Sequence, residues 1–202
     1  MYENGLDVLA RVHRIDWEDA GLDWLVVPGK EPNARTQFDL WRAYGDAELR
    51  GRVHPLMDRA WEWLEANWPG EGAPVLNWGD PRPGNMIWRD YECECCTDFE
   101  AASISAPEVD LGWWLNFDRT MHEAVGVARL EGEPTREEQQ AMYEAAIGRS
   151  MGDMHWWEVF AAVRYCAIVV RVMNRAEKRG LLPEGNTIWL ENPPATCLEQ
   201  LL

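Results

Sequence analysis

Three oxygen-bearing side chains and an arginine stand close together near the middle of the chain. Asp80 and Asn85 are separated by the run Pro81-Arg82-Pro83-Gly84, and Asp98 follows after a short hairpin-like stretch. Carboxylate and amide oxygens of this kind can hold Mg²⁺, a hard cation that keeps several of its waters and asks the protein for only one or two ligands. A neighbouring aspartate that is not engaged by metal can orient or deprotonate a hydroxyl. An arginine can grip a phosphoryl oxygen pair with two parallel donors. Together these groups are the minimum equipment for phosphoryl transfer. The same residues also make good turns, because Gly-Asp-Pro and Pro-Gly-Asn both favour tight reversals, and Arg82 reads equally well as a surface arginine.

The elements that must position these groups follow from pattern. Residues 74–78 (PVLNW) predict a short strand. Residues 79–84 (GDPRPG) predict a stiff loop. Residues 85–89 (NMIWR) and 92–99 (ECECCTDF) predict two further strands joined by a turn at Asp90-Tyr91. A hairpin of that size would bring Asp80, Asn85 and Asp98 to one end of a small ribbon. Helices are expected around it. In one, residues 5–14, Leu6, Leu9, Val12 and His13 share a face. The next runs from Thr36 to Tyr44. Another starts at Pro55, with a stripe of Leu56, Ala60, Trp63, Leu64 and Asn67. The remaining three begin near Val109, run from Thr135 to about Gly148, and run from an Asp153 cap to Arg179. The tail from Leu181 reads as Pro-rich and irregular. The fold class is α+β, mainly helical, with a small central β-ribbon.

Composition narrows the partners. The chain has 202 residues, 35 acidic against 19 basic, for a formal net charge of −16. Such a surface repels phosphate backbones, so nucleic acid is not an expected partner, and a cationic small molecule is. The most apolar stretch, Val159 to Val172, is cut by Arg164 and Arg171, so no membrane span is expected. Five cysteines, three of them clustered at 93, 95 and 96, do not resemble a secreted disulfide framework, and a cytoplasmic location is the natural reading. Cys93, Cys95 and Cys96 lack the paired spacing of a zinc site and read as buried strand cysteines, with Cys93 and Cys95 on one face. His13 reads as a packed, hydrogen-bonded histidine. His54, His122 and His155 show no metal spacing. The pairs Trp113-Trp114 and Trp156-Trp157 read as core, with cation–π surfaces lining a substrate cleft as the alternative for some of them.

The combined wording carries a resemblance. Trp78-Gly79-Asp80, Asn85, Asp98-Phe99-Glu100 and Asp110-Leu111-Gly112 together resemble the catalytic and metal loops of the aminoglycoside phosphotransferase-like family, which has a kinase-like fold. The opening LARVHRIDW and the helix HWWEVFAAVRYC are also similar to that family. The resemblance implies that Asp80 is the catalytic base, with Arg82 near the moving phosphoryl group. It implies that Asn85 and Asp98 bind Mg²⁺ and with it ATP or another nucleoside triphosphate, and that Asp110 braces the catalytic loop. Trp78 departs from the family's usual His. The likeness covers most of the chain but only as the family's C-terminal lobe. No G-x-G-x-x-G precedes Asp80, and neither Lys30 nor Lys178 reads as a strand lysine. Residues 1–202 are therefore read as one domain without the nucleotide-gripping N-terminal lobe, which a separate polypeptide or self-association could supply. The implied function is phosphorylation of a small-molecule hydroxyl. The alternative is a non-catalytic lobe, kept as a binding module, that has lost ATP binding.

Overall fold

The computed structural model describes residues 1–183 and 185–202. Glu184, in the tail read as irregular, lies outside the described residues. Among the described residues seven α-helices surround two short β-ribbons. The order is α1 (Tyr2–His13), α2 (Ala34–Leu49), α3 (Pro55–Ala66), β1 (Val75–Asn77), β2 (Met86–Arg89), β3 (Glu92–Cys96), β4 (Ser103–Ser105), α4 (Glu108–Arg119), α5 (Arg136–Ile147), α6 (His155–Lys178) and α7 (Pro193–Leu201). Among the described residues no helix is long and apolar enough to cross a membrane.

Helix α6 is the hub. It packs against α2, α3, α4 and α7, while α1 packs on α5. Aromatic residues fill the space between α2, α3 and α6. Phe38 meets Trp61 and Trp68 edge-on at 5.2 and 5.5 Å between centroids, and Trp156 meets Trp68 at 5.0 Å. Edge-to-face pairs of this kind are favoured by the ring quadrupoles beyond their buried area. At Gly112 the backbones of α4 and α6 come too close for a side chain, since a Cβ there would lie 2.7 Å from the Trp157 carbonyl oxygen.

Most helices fall where their caps put them. Pro55 opens α3, and Thr135 and Glu138 form a reciprocal capping box on α5. Several expectations need correction. Helix α2 begins two residues earlier and ends five later than expected, because the Asn33 side chain caps it by accepting from Thr36 N at 3.0 Å. The buried face of α3 is Met57, Ala60, Trp61 and Leu64, one step round from the predicted stripe, so that Trp61 rather than Trp63 meets Phe38. Asp153 does not occupy the cap position of α6; Met154 does, and Asp153 Oδ1 accepts from His155 N at 2.9 Å. The tail holds α7, started by an Asn192 cap before two prolines, and its Ala195, Cys197, Leu198 and Leu201 are buried. Proline suits a first helical turn, so a Pro-rich reading and a helix start look alike in sequence.

The single ribbon of the sequence reading is two. β1 pairs antiparallel with β4, a strand the pattern did not reveal, and β2 pairs with β3. Asp90 and Tyr91 make the β2–β3 turn with positive φ at both positions (50° and 68°), as a primed hairpin turn demands. An irregularity at Ile87/Trp88 sets Trp88 opposite Cys93 and Met86 opposite Cys96. Cys93 and Cys96 are consequently half-buried together and Cys95 is exposed, the reverse of strict alternation. Burial and the neighbouring Cys93 push the Cys96 thiol up to about 12.

Candidate functional site

The loop between β1 and β2 is held from beneath by a buried carboxylate. Asp110, in the first turn of α4, accepts from Trp78 N at 2.6 Å and from Gly79 N at 3.0 Å. Its Oδ2 also meets His13 Nε2 at 3.1 Å, and His13 Nδ1 meets the Tyr143 hydroxyl at 2.6 Å. A carboxylate can only accept, so His13 Nε2–H donates to it and Nδ1 accepts from Tyr143. Burial, then the charge of Asp110, pushes the Tyr143 hydroxyl above its ordinary range, so it remains a donor. This chain joins α5, α1, α4 and the loop, and His13, Asp110 and Tyr143 are all buried.

Gly79 is required by the turn it makes. Its φ is +97°, and a Cβ would sit 2.3 Å from the Ala101 carbonyl oxygen. Next to it, the Asp80 carboxylate is surrounded by donors. Oδ1 accepts from Trp113 Nε1 at 2.6 Å, Oδ2 accepts from Asn85 Nδ2 at 2.6 Å, and Arg82 Nε lies 3.2 and 3.0 Å from the two oxygens. Arg82 also lies over the Phe117 ring, 5.2 Å from its centroid. Arg82 is thus folded onto Asp80, with its side chain about a third exposed.

Asn85 and Asp98 are linked through backbone. Thr97 donates from both N and Oγ1 to the Asn85 carbonyl, at 2.9 and 3.0 Å. Trp78 Nε1 donates to Thr97 O at 2.8 Å, and the Trp78 ring stacks on Phe99. Asp98 follows Thr97, is exposed, and has φ +63°, a left-handed conformation that Asp tolerates. Both Asn85 Nδ2 hydrogens point at Asp80, one to its backbone oxygen, so the amide oxygen turns the other way. Among the described residues neither that oxygen nor the Asp98 carboxylate accepts a protein hydrogen bond. Two unengaged oxygen donors on adjoining chain segments have the chemistry that Mg²⁺ takes.

Sequence reading missed two residues here. Trp113, taken as core, is buried but spends its indole N–H on Asp80. Arg164, seen only as a break in an apolar run, is 2% exposed and sits among Trp41, Trp113 and Phe160, 4.6, 5.0 and 5.5 Å from their centroids. Its Nη2 points at Gly79 O, 3.4 Å away. Burial pulls this guanidinium down to about 10, against the opposing charges of Asp110 and Asp80. The available signal was an arginine inside an otherwise apolar helical run, Val159 to Val170, next to Tyr165.

The family model for the phosphotransferase enzyme family (APH) matches residues 1–155. The chain belongs to the phosphotransferase enzyme family. Solved structures share its fold at low identity. A protein from Ralstonia eutropha JMP134, described as a candidate aminoglycoside phosphotransferase, superposes with TM-score 0.73 at 21% identity, over 99% of this chain and 60% of that one. The apoenzyme of the macrolide 2′-phosphotransferase MphH from Brachybacterium faecium gives 0.57 at 19%, over 98% and 58%. A type I macrolide 2′-phosphotransferase gives 0.59 at 19%, over 99% and 58%. The chain thus spans about three fifths of the length of these proteins.

One histidine without metal spacing in sequence acquires carboxylate neighbours in space. His122 Nε2 lies 3.7 Å from Asp118 and 3.3 Å from Glu133. Arg129 and Gln139 already donate to Asp118, and Tyr2 and Leu130 N to Glu133, so the cluster reads as a closed ion-pair network.

Proposed function

We propose that this phosphotransferase chain is the C-terminal lobe of an enzyme that moves the γ-phosphoryl group of ATP, or of another nucleoside triphosphate, to a hydroxyl on a small, cationic molecule. The observation that carries the reading is the Asp80 carboxylate, held by side chains from three directions on a loop pinned from below by Asp110. Asp80 orients the acceptor hydroxyl and takes its proton as the O–P bond forms. Trp113 and Asn85 keep the carboxylate aimed, so little reorganisation is needed at the moment of transfer. Asn85 and Asp98 would hold Mg²⁺, which when bound supplies charge neutralisation at the phosphates. Arg82 has a planar fork suited to a phosphoryl group and must leave Asp80 to reach one.

Nucleotide grip by a second, sheet-rich lobe would come from outside residues 1–202, in the same polypeptide or added in trans. Free thiols throughout the chain favour the cytoplasm as its compartment. A competing reading, a lobe that keeps its shape without turnover, has one observation in its favour: Arg82 Nε lies within hydrogen-bond distance of both Asp80 oxygens.

The deciding experiment assays the purified chain with Mg·ATP and a panel of hydroxylated amines, alone and with a nucleotide-binding lobe fused or added. Turnover is expected only with the second lobe, and only while Asp80 is intact. Rates near the ~1–100 s⁻¹ usual for kinases from the chain alone would overturn the lobe assignment. Activity surviving in Asp80→Ala would overturn the role of Asp80, and inactivity with every lobe would favour the non-catalytic reading.

A further inference from the structure

Arg164 is the one charged side chain between Val159 and Val170 on α6, and it is 2% exposed. Among the described residues its Nε and Nη1 have no hydrogen-bond partner, and Nη2 lies 3.4 Å from Gly79 O, long for a hydrogen bond. Burying a guanidinium with so few acceptors is costly, and an aliphatic side chain would fill the space without that cost. The rings around it are what hold the charge. The guanidinium lies over Trp41 at 4.6 Å from the ring centroid and over Trp113 at 5.0 Å, with Phe160, one turn back on α6, at 5.5 Å. Indole faces attract a cation within about 6 Å, most strongly where water is excluded.

One of those indoles is the one that holds Asp80. Trp113 is 4% exposed and donates from Nε1 to Asp80 Oδ1 at 2.6 Å, at the short limit of N–H···O bonds. A cation over the face of the ring draws on its π electrons, which makes the N–H at the edge a stronger donor and fixes the plane of the ring. Tyr165, the next residue on α6, meets the same indole at 5.5 Å between centroids. Two consecutive side chains of α6 therefore bear on the ring that aims the carboxylate.

We propose that Arg164 is a positioning residue: lying over the Trp41 and Trp113 rings, its guanidinium sets the plane of the Trp113 indole and strengthens its N–H as a donor, and so keeps the Asp80 carboxylate aimed. It reaches the loop a second time at Gly79 O, the carbonyl just before Asp80. The role runs through these two groups and not through the reacting atoms. A lysine here would keep the charge but lose the flat face that lies against both rings. The clamp is a matter of this chain's own geometry, and its use in transfer rests on the phosphotransfer reading above.

The test follows the indole N–H resonances of the purified chain by NMR, with Trp113→Phe to assign the Trp113 signal. Trp114 and Trp156 are internal controls. Both are as buried as Trp113, and they donate from Nε1 to Gln139 Oε1 at 2.7 Å and to Leu64 O at 2.9 Å, away from Asp80. In Arg164→Met the Trp113 N–H should move upfield and exchange with solvent at least about tenfold faster, while the two controls hold. Arg164→Lys should recover part of the loss. In the enzyme completed with its second lobe, Arg164→Met should lower kcat by a similar factor and leave the acceptor KM within about twofold. An unmoved Trp113 signal in folded Arg164→Met would overturn the proposal. So would loss of protection at all three indoles together, the mark of a merely structural arginine, or a raised KM with kcat intact. Should Arg164→Met not fold, Trp41→Leu removes the other ring under the guanidinium and must loosen Trp113 alone; an unmoved Trp113 there overturns the proposal as well. An inactive wild-type enzyme would sink the phosphotransfer reading and leave the indole signals to decide the clamp.

Discussion

Asp110 and Asp98 are both aspartates within reach of the same loop, and their surroundings are opposite. Asp110 is fully buried, and its two oxygens serve Trp78 N, Gly79 N and His13. Asp98 is exposed, sits at φ +63° where β3 has ended, and accepts no hydrogen bond among the described residues. The first is tied into four elements of the fold. The second is offered to solvent on a backbone held only by Thr97 before it. Behind the loop, Asp110 meets the Trp78, Gly79 and His13 donors. Among the described residues the Asp98 carboxylate, proposed above as a metal ligand, is left without a protein partner, as a group that must take an entering ion requires.

The contrast can be broken most forcefully at Asp110. Asp110→Ala strands two buried backbone N–H groups and the His13 donor, a loss of at least about 3 kcal/mol at roughly 1–3 kcal/mol per stranded group. For a chain of this size that is a fall in Tm of at least roughly 6 °C. Calorimetry should find a larger drop than for Asp80→Ala, which removes an acceptor whose side chain is 23% exposed. The reverse order would show that Asp110 is not the brace.

Tyr143→Phe removes one link at the far end of the same chain. His13 Nδ1 then lacks its donor in a buried site, and a loss of about 1–2 kcal/mol is expected in the denaturation midpoint. An unchanged midpoint would confine the brace to Asp110 and His13.

A pH prediction follows from His54, the buried cap of α3. Burial lowers its pKa below the ordinary value of 6.5, and its Nδ1 accepts from Met57 N at 3.4 Å, which only the form unprotonated at that nitrogen can do. The folded state therefore favours the neutral ring. The stabilisation is complete above the unfolded pKa and is lost as pH falls from about 6.5 toward the lowered folded value. Tm should decline over that interval, and His54→Asn, a cap that does not titrate, should flatten that part of the curve. An identical slope in the variant would remove His54 as its source.

Asp98→Ala should have the smallest effect on folding, within about 0.5 kcal/mol, as for an exposed site without partners. It should nevertheless abolish Mg²⁺ binding at millimolar concentration. Calorimetric titration showing the same Mg²⁺ affinity in the variant would detach Asp98 from the metal role.

Much of this arrangement was legible before any coordinates. Asp80, Asn85 and Asp98 stand out by type and spacing, since a Pro/Gly-stiffened loop between apolar runs can turn only a few ways, whereas Asp110 came from the family resemblance. The β2–β3 hairpin is local too, because Asp90-Tyr91 must reverse the chain within two residues. Helices with strong caps, such as α3 and α5, were readable for the same reason. What escaped were features made by residues far apart in sequence. β4 is three residues long and becomes a strand only through pairing with β1. Helix α7 shows in its prolines as irregularity until its apolar side meets the core. The register irregularity between Ile87 and Trp88 leaves Cys95 exposed, which alternation along the sequence does not show.

By itself, then, the sequence determined the chemistry available: which oxygens, which bases, which loop would carry them. Only the tertiary structure decided how those groups are held. It placed His13 and Tyr143 behind Asp110, brought the Trp113 indole onto Asp80, and buried Arg164 beside Gly79. The physical reason is that composition and spacing act over a few residues, within the reach of one turn or one hairpin. Burial, which decides whether a polar group must be partnered, depends on which distant elements close over it.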